Sequence, residues 1–145
     1  MLNQANVGQI AEHLTVCDTD FVPPLSDRVQ INNYSQKLAI NATRFEAWSA
    51  GSLAGLVAAY CNSQVIDTTY ISSVSVNKTW RGRGIAESLL RQCIEYSITS
   101  DMHKIYLQVG HGNSPAIHLY KKAGFAQNSS DEAFITMVLY LNSGG

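Results

Sequence analysis

Charge is the scarcest property of this chain. Only 14% of its 145 residues are Asp, Glu, Lys or Arg, and 10 basic against 11 acidic side chains leave a net charge of −1. A nucleic-acid binder that depends on a broad basic surface is excluded by that balance. Long apolar runs are missing as well: the longest, LAGLVAAYC at 53–61, is far too short to span a bilayer. The opening MLNQANVGQIAEHL has neither a basic start nor an apolar stretch, so it does not read as a signal peptide. Cysteine is sparse and odd in number. Cys17, Cys61 and Cys93 show no metal-ligand spacing, so no metal site is expected and reduced thiols in a cytoplasmic core are. Asn-x-Ser/Thr matches such as Asn41-Ala42-Thr43 and Asn77-Lys78-Thr79 carry no weight without a secretion signal. Repeats, low-complexity segments and interdomain linkers are absent too. With 46% hydrophobic residues the chain should be globular, and its length suits one domain, 1–145.

What is present reads as alternating elements. Val7, Ile10, Ala11 and Leu14 recur at helical spacing over 4–16, and DFVPPLSDR then breaks the pattern with two prolines. The stretch 26–42 predicts a weaker helix or a helical loop. TRFEAWSAG and SLAGLVAAYC predict two strands turning through Ala50-Gly51-Ser52, and NSQVID is a polar connection. TTYISSVSV (68–76) is rich in β-branched residues, and its alternation puts Tyr70, Val74 and Val76 on one face. Residues 84–98 predict a helix carrying Ile85, Leu89, Cys93 and Ile94; KIYLQV predicts a strand; NSPAIHLYKKAG predicts a second helix that stops at Gly124. FAQNS and AFITMVLYL close the chain as strands. Joined by a crossover helix, strands 68–76 and 103–109 should lie parallel or nearly so if adjacent, and hairpins elsewhere make the other pairs antiparallel. The expected fold is an α/β (α+β) mixed sheet, mostly antiparallel, with helices on both faces.

The chemistry concentrates at WRGRGIAE. Gly82 and Gly84 let backbone approach a ligand without a Cβ in the way. The first turn of the following helix offers free N–H groups at the positive end of its dipole, and together they form an anion cradle. Arg81 and Arg83 add forked donors at the rim. Ile85-Ala86 stands where a P-loop needs Lys-Ser/Thr, and the third glycine of a dinucleotide fingerprint is missing. A surface turn with two solvated arginines is the plainer alternative.

RGRGIA, after a strand and opening a helix, resembles the R/Q-x-x-G-x-G/A signature of GCN5-related N-acetyltransferases (GNAT), and NSPAIHLYKKAGF at 113–125 resembles their second signature. The likeness is close over about 68–125. It implies a GNAT fold with a splayed parallel strand pair, and acetyl-coenzyme A as cofactor. Its pyrophosphate would lie on the backbone N–H groups from Gly82 through Arg83, Gly84 and Ile85 to Ala86, and its pantetheine arm along Val74, Ser75 and Val76. An N–H near Val76 would receive the developing oxyanion, Asn113 would bind the pantetheine, and Tyr120 would protonate the leaving thiolate. A phenol with a pKa near 10 is a sensible donor to a thiolate whose free value is about 8.5. Plainer readings stand beside these: core packing for Val74, Val76 and Tyr120, and an N-cap for Asn113.

The resemblance fails to supply a base. Some relatives place Glu where this chain has Tyr70 or Gln108; neither is a useful base at neutral pH, and both, with His111, are candidates to line the acceptor side. His111 is chemically competent, with a solvated loop histidine as the alternative, and His118 should point elsewhere. Acceptor binding falls to 17–48. There Asp18, Asp20, Asp27 and Glu46 would attract a cationic amine, while Phe21, Pro23, Pro24, Tyr34 and Trp48 would wall a pocket. The expected activity is acetyl transfer by direct attack of a primary amine, from a small molecule or a peptide. The alternatives are a non-catalytic acyl-coenzyme A binding module and a purely structural domain. Neither nucleic acid nor membrane is an expected partner. Related folds pair through their C-terminal strands, so AFITMVLYL is either a homodimer contact or a core strand.

Overall fold

The computed structural model describes residues 1–61 and 67–141. In chain order it comprises α1 (Val7–Val16), α2 (Ile31–Asn41), β1 (Thr43–Ser49), β2 (Ser52–Tyr60), β3 (Thr68–Val76), α3 (Ile85–Thr99), β4 (Lys104–Gly110), α4 (Ser114–Lys122), β5 (Ala126–Ser130) and β6 (Phe134–Tyr140). This is the order read from the sequence. The polar connection expected at 62–67 lies largely outside the described residues.

Local chemistry sets the boundaries. Asn6 and Gln9 form a reciprocal capping box at the start of α1. Ala50 and Gly51 take φ of 49° and 80°, the left-handed pair that a two-residue hairpin loop requires. Pro115 occupies the first turn of α4, where its missing N–H costs nothing.

The strands form one six-stranded sheet in the order β1-β2-β3-β4-β6-β5. β3 and β4 are parallel, and every other pair is antiparallel. On one face α3 and α4 bury Leu89, Leu90, Cys93 and Tyr120 against Val57, Ile71, Ile105, Leu107 and Met137. On the other, α1 and α2 bury Ile10, Leu14 and Leu38 against Leu53, Leu56 and Ala58. The expected mixed sheet with helices on both faces is what forms. AFITMVLYL becomes β6, an interior strand whose Met137, Ile135 and Leu139 pack into the α3–α4 core. Its Tyr140 remains exposed.

One expectation about β3 is corrected. Ile71 pairs with Ala59 and Ser73 with Ala58, so Ser72 is an extra residue and the strand is bulged. The bulge resets the alternation. Ile71 and Val74 both pack on the α3–α4 side, whereas Tyr70, opposite and stacked on Tyr60, turns to the other face. Tyr34 of α2 holds the bulge, its hydroxyl donating to the Ser72 carbonyl at 3.1 Å and lying 2.5 Å from Ser72 Oγ. β3 and β4 pair only from Thr68↔Lys104 to Ile71↔Leu107. Past the bulge they separate, and the expected splay results.

Candidate active site

The splay opens into a cavity of about 580 Å³. Most of the residues expected at a cofactor site line it: Val74, Ser75, Val76, Arg81, Gly82, Gly84, Ile85, Ala86, Asn113 and Tyr120. Phe21, Tyr70 and Gln108 from the expected acceptor side line it too. Arg83, Tyr34 and His111 are not among its walls. Gly110, at the end of β4, lies so close to the 20–24 loop that an added Cβ would fall 1.8 Å from the Val22 carbonyl oxygen. Only glycine lets that loop close over the mouth.

The cradle is built from backbone. Gly82 and Gly84 have φ of 78° and 74°, and Gly84 is the N-cap of α3 with no side chain capping the helix. The first intrahelical bond runs from Ser88 N to Gly84 O at 3.0 Å. The amides of Gly82 through Glu87 donate to no described residue, leaving a row of donors at the positive end of the α3 dipole. The arginines contribute less than expected. Arg81 is ion-paired with Asp20 across the mouth and sends Nε to the Val76 carbonyl at 3.4 Å. Arg83 stacks on the Trp80 ring, 4.7 Å from its centroid.

β3 supplies a second row of donors. Asn77 N donates to Ala54 O of β2 at 2.8 Å, so strand alternation turns the N–H groups of Val76 and Val74 toward the gap. The Ser75 side chain points away, to a residue the sequence did not single out. His13 of α1 is buried, with Nδ1 2.9 Å from the Leu53 carbonyl and Nε2 2.9 Å from Ser75 Oγ. A carbonyl only accepts, so Nδ1 carries the proton and Nε2 accepts from the Ser75 hydroxyl. Burial lowers the His13 pKa and favours this neutral form. In sequence it is one histidine within an amphipathic pattern, with no signal to mark it. Cys17 Sγ lies 3.8 Å from Nε2, and burial, then Asp20, push its thiol up to about 11.

Tyr120 is buried, and its hydroxyl bonds to no described residue. Burial pushes its phenol well above the ordinary value, so it is a protonated donor facing the cavity. Asn113 is the N-cap of α4, yet its side chain makes no cap bond.

Comparison with known proteins decides the class: residues 8–125 match the acetyltransferase (GNAT) family. This chain belongs to that family. Among curated relatives, the spermidine N(1)-acetyltransferase of Vibrio cholerae is 40% identical over 58 residues, covering 38% of this chain and 34% of its own. The chain spans less than half the length of the curated relatives it matches first. Solved structures agree on the fold. The ribosomal-protein-alanine N-acetyltransferase of Brucella melitensis superimposes with a TM-score of 0.73 at 18% identity, covering 97% of this chain and 99% of its own. A Bacillus anthracis protein solved in complex with acetyl coenzyme A does so with a TM-score of 0.61 at 23% identity, over 70% of this chain and 63% of its own.

The acceptor end of this GNAT chain departs from several expectations. Asp18 is spent on the loop, accepting from Ser26 N and Oγ at 2.7 Å each, which lowers its pKa. Asp20 pairs with Arg81. Glu46 is buried, accepting from the amides of Gln4 and Ala5, from the Trp48 indole and from Arg44. Arg44 in turn donates to carbonyls at the end of α2. That clamp joins the N-terminal segment, α2 and β1, and it removes Glu46 and Trp48 from acceptor binding. Asp27 is exposed and Pro23 and Pro24 are half-buried, and none of the three lies in the cavity wall. Tyr34 is held on the bulge, and burial pushes its phenol up to about 12. His111 is exposed, its Nε2 2.7 Å from the Asp131 carbonyl. Burial, then Tyr106, raise the Tyr70 pKa, so it is no base at neutral pH.

Proposed function

We propose that residues 1–145 form one N-acetyltransferase domain that moves the acetyl group of acetyl-coenzyme A onto a primary amine of a small molecule or peptide, by direct attack. The observation that carries this reading is the row of unbonded amides from Gly82 to Glu87, opening on the gap between β3 and β4. A pyrophosphate fits that cradle, because its charge meets N–H groups that nothing else satisfies. The bound cofactor supplies the acyl group and a thiolate leaving group. Val74 and Val76 hold an extended ligand through their free N–H groups, as an added strand would be held, and the N–H of Val76 faces the developing oxyanion. Asn113, unused by its own helix, binds the same arm. Tyr120 donates to the departing sulfur; the burial that raises the phenol raises a thiolate in the same cleft, so their order in water does not decide the transfer.

Direct attack agrees with the nucleophiles at hand. Cys17 is buried with its thiol pushed up to about 11, so it offers no thiolate for a covalent intermediate. The carboxylates in the wall, Asp20 and Glu87, are ion-paired with Arg81 and with Arg91 and Lys122. Deprotonation of the amine therefore falls to solvent. Three free, buried cysteines agree with a reducing cytoplasmic setting. Homodimer formation through the C-terminal strands belongs to the same reading, with the exposed Tyr140 as its support. Calorimetry with coenzyme A, followed by thiol release from acetyl-coenzyme A against a mixed amine panel, tests the assignment. Binding with thiol release is expected. Binding without release by any amine would select the non-catalytic module, and no binding would remove both.

A further inference from the structure

A second cavity, of about 490 Å³, lies beside the first on the sheet face opposite α3 and α4. Tyr60, Tyr70, Tyr106, Lys104, Asn128 and Thr136 line it. Tyr70 walls both cavities, so the two meet at its side chain. Tyr60 and Tyr70 stack at 6.4 Å with 6° between planes, and Tyr70 and Tyr106 lie 4.8 Å apart, giving an aromatic floor. Lys104 is the charged residue of this wall, half-buried and without an acidic partner within 4.0 Å among the described residues. It sits on β4 two positions before Tyr106, which pairs with Tyr70, so it stands on the same face about 7 Å along the strand.

Resting on the acetyl-transfer reading above, we propose that this groove holds the body of the acceptor, and that the acceptor is an amine with an aromatic or apolar middle and a carboxylate at its far end. The amine enters the splay past Tyr70, the middle lies on the tyrosines, and the carboxylate meets Lys104. A half-buried lysine facing no acid is an anion site in waiting. Of the acidic residues that would have favoured a polycation, Asp18 is committed to Ser26, Asp20 to Arg81 and Glu46 to Arg44, and Asp27 lies in neither cavity wall. A polyamine laid along the same floor brings a second ammonium toward Lys104, where like charges repel.

The test uses 4-(2-aminoethyl)benzoate, phenethylamine and spermidine. Binding is read by calorimetry with coenzyme A present, and turnover by thiol release from acetyl-coenzyme A. The benzoate is expected to bind about tenfold more tightly than phenethylamine and to have the higher kcat/KM, as one charge-assisted contact implies. That preference should vanish in Lys104→Gln and survive in Lys104→Arg. Equal affinity for the two aromatic amines, an unchanged preference in Lys104→Gln, or spermidine as the best acceptor would each overturn the groove assignment. Arg28, in the wall of the first cavity with its guanidinium over the Phe134 ring, is the competing cation: loss of the preference in Arg28→Gln with retention in Lys104→Gln would overturn the groove's location. Coenzyme A binding and turnover of phenethylamine report on the acetyl-transfer reading independently, so the groove fails alone if they persist without discrimination.

Discussion

Tyr120 is the side chain on which the proposed chemistry most depends, and its surroundings make a sharp expectation. It is buried beside Phe125, at a ring distance of 6.0 Å, so Tyr120→Phe preserves the packing and deletes one oxygen. Since that hydroxyl bonds to no described residue, stability should hardly change. Turnover should fall by about a hundredfold, the lower range for a lost proton donor, with coenzyme A affinity retained. A Tyr120→Phe enzyme that turns over at the parent rate would assign the residue to packing. Other residues behave differently from their sequence promise because a partner claims them. Arg81 meets Asp20, and Glu46 accepts from the amides of Gln4 and Ala5; spacing along a chain cannot report such distant pairings. Arg83 on Trp80 and Arg44 beside Glu46 are near neighbours in sequence, yet nothing in the sequence says that they spend their charge on each other rather than on a ligand.

At the scale of elements the outcome is uneven, and β3 explains why. Helices α1, α3 and α4, the hairpin and the two-glycine turn are legible because their signals are local: apolar periodicity, a cap, a glycine at a left-handed position. The cradle was legible for the same reason, since backbone amides at a helix start follow from where the helix begins. The bulge at Ser72 was not. Its sequence, ISSVSV, alternates well enough to pass as a flat strand, and the added residue is fixed from outside by Tyr34 of α2. Read flat, the strand puts Tyr70 with Val74; bulged, it puts Tyr70 on the acceptor face. Tyr34→Phe should therefore destabilise the fold by about 1 kcal/mol, the net worth of one hydrogen bond to a half-buried partner. Urea denaturation measures it. A change within the ±0.5 kcal/mol typical of neutral surface substitutions would mean the bulge holds itself.

For the molecule as a whole, the N-terminal layer and the sheet are joined by a group that titrates. His13 ties α1 to β2 through Leu53 and to β3 through Ser75, and burial lowers its pKa below the unfolded value near 6.5. The unfolded chain thus binds this proton more readily than the folded one. By linkage, stability is fully present above about pH 6.5 and declines as pH falls through that value. Between pH 7.5 and 5.5 the loss from this one site is at most about 1.4 kcal/mol. Asp18 and Asp131, whose pKa values are lowered by hydrogen bonds, lose their contributions only in the more acidic carboxylate range. Comparison with His13→Gln, which keeps an amide to bridge the same partners but cannot titrate, subtracts every other group. Urea midpoints at the two pH values should fall further for the parent than for His13→Gln, although the variant starts lower at pH 7.5. Parallel declines in the two proteins would mean that His13 accepts its proton in the folded state as easily as in the unfolded chain, and the neutral bridge between α1 and β3 would have to be abandoned.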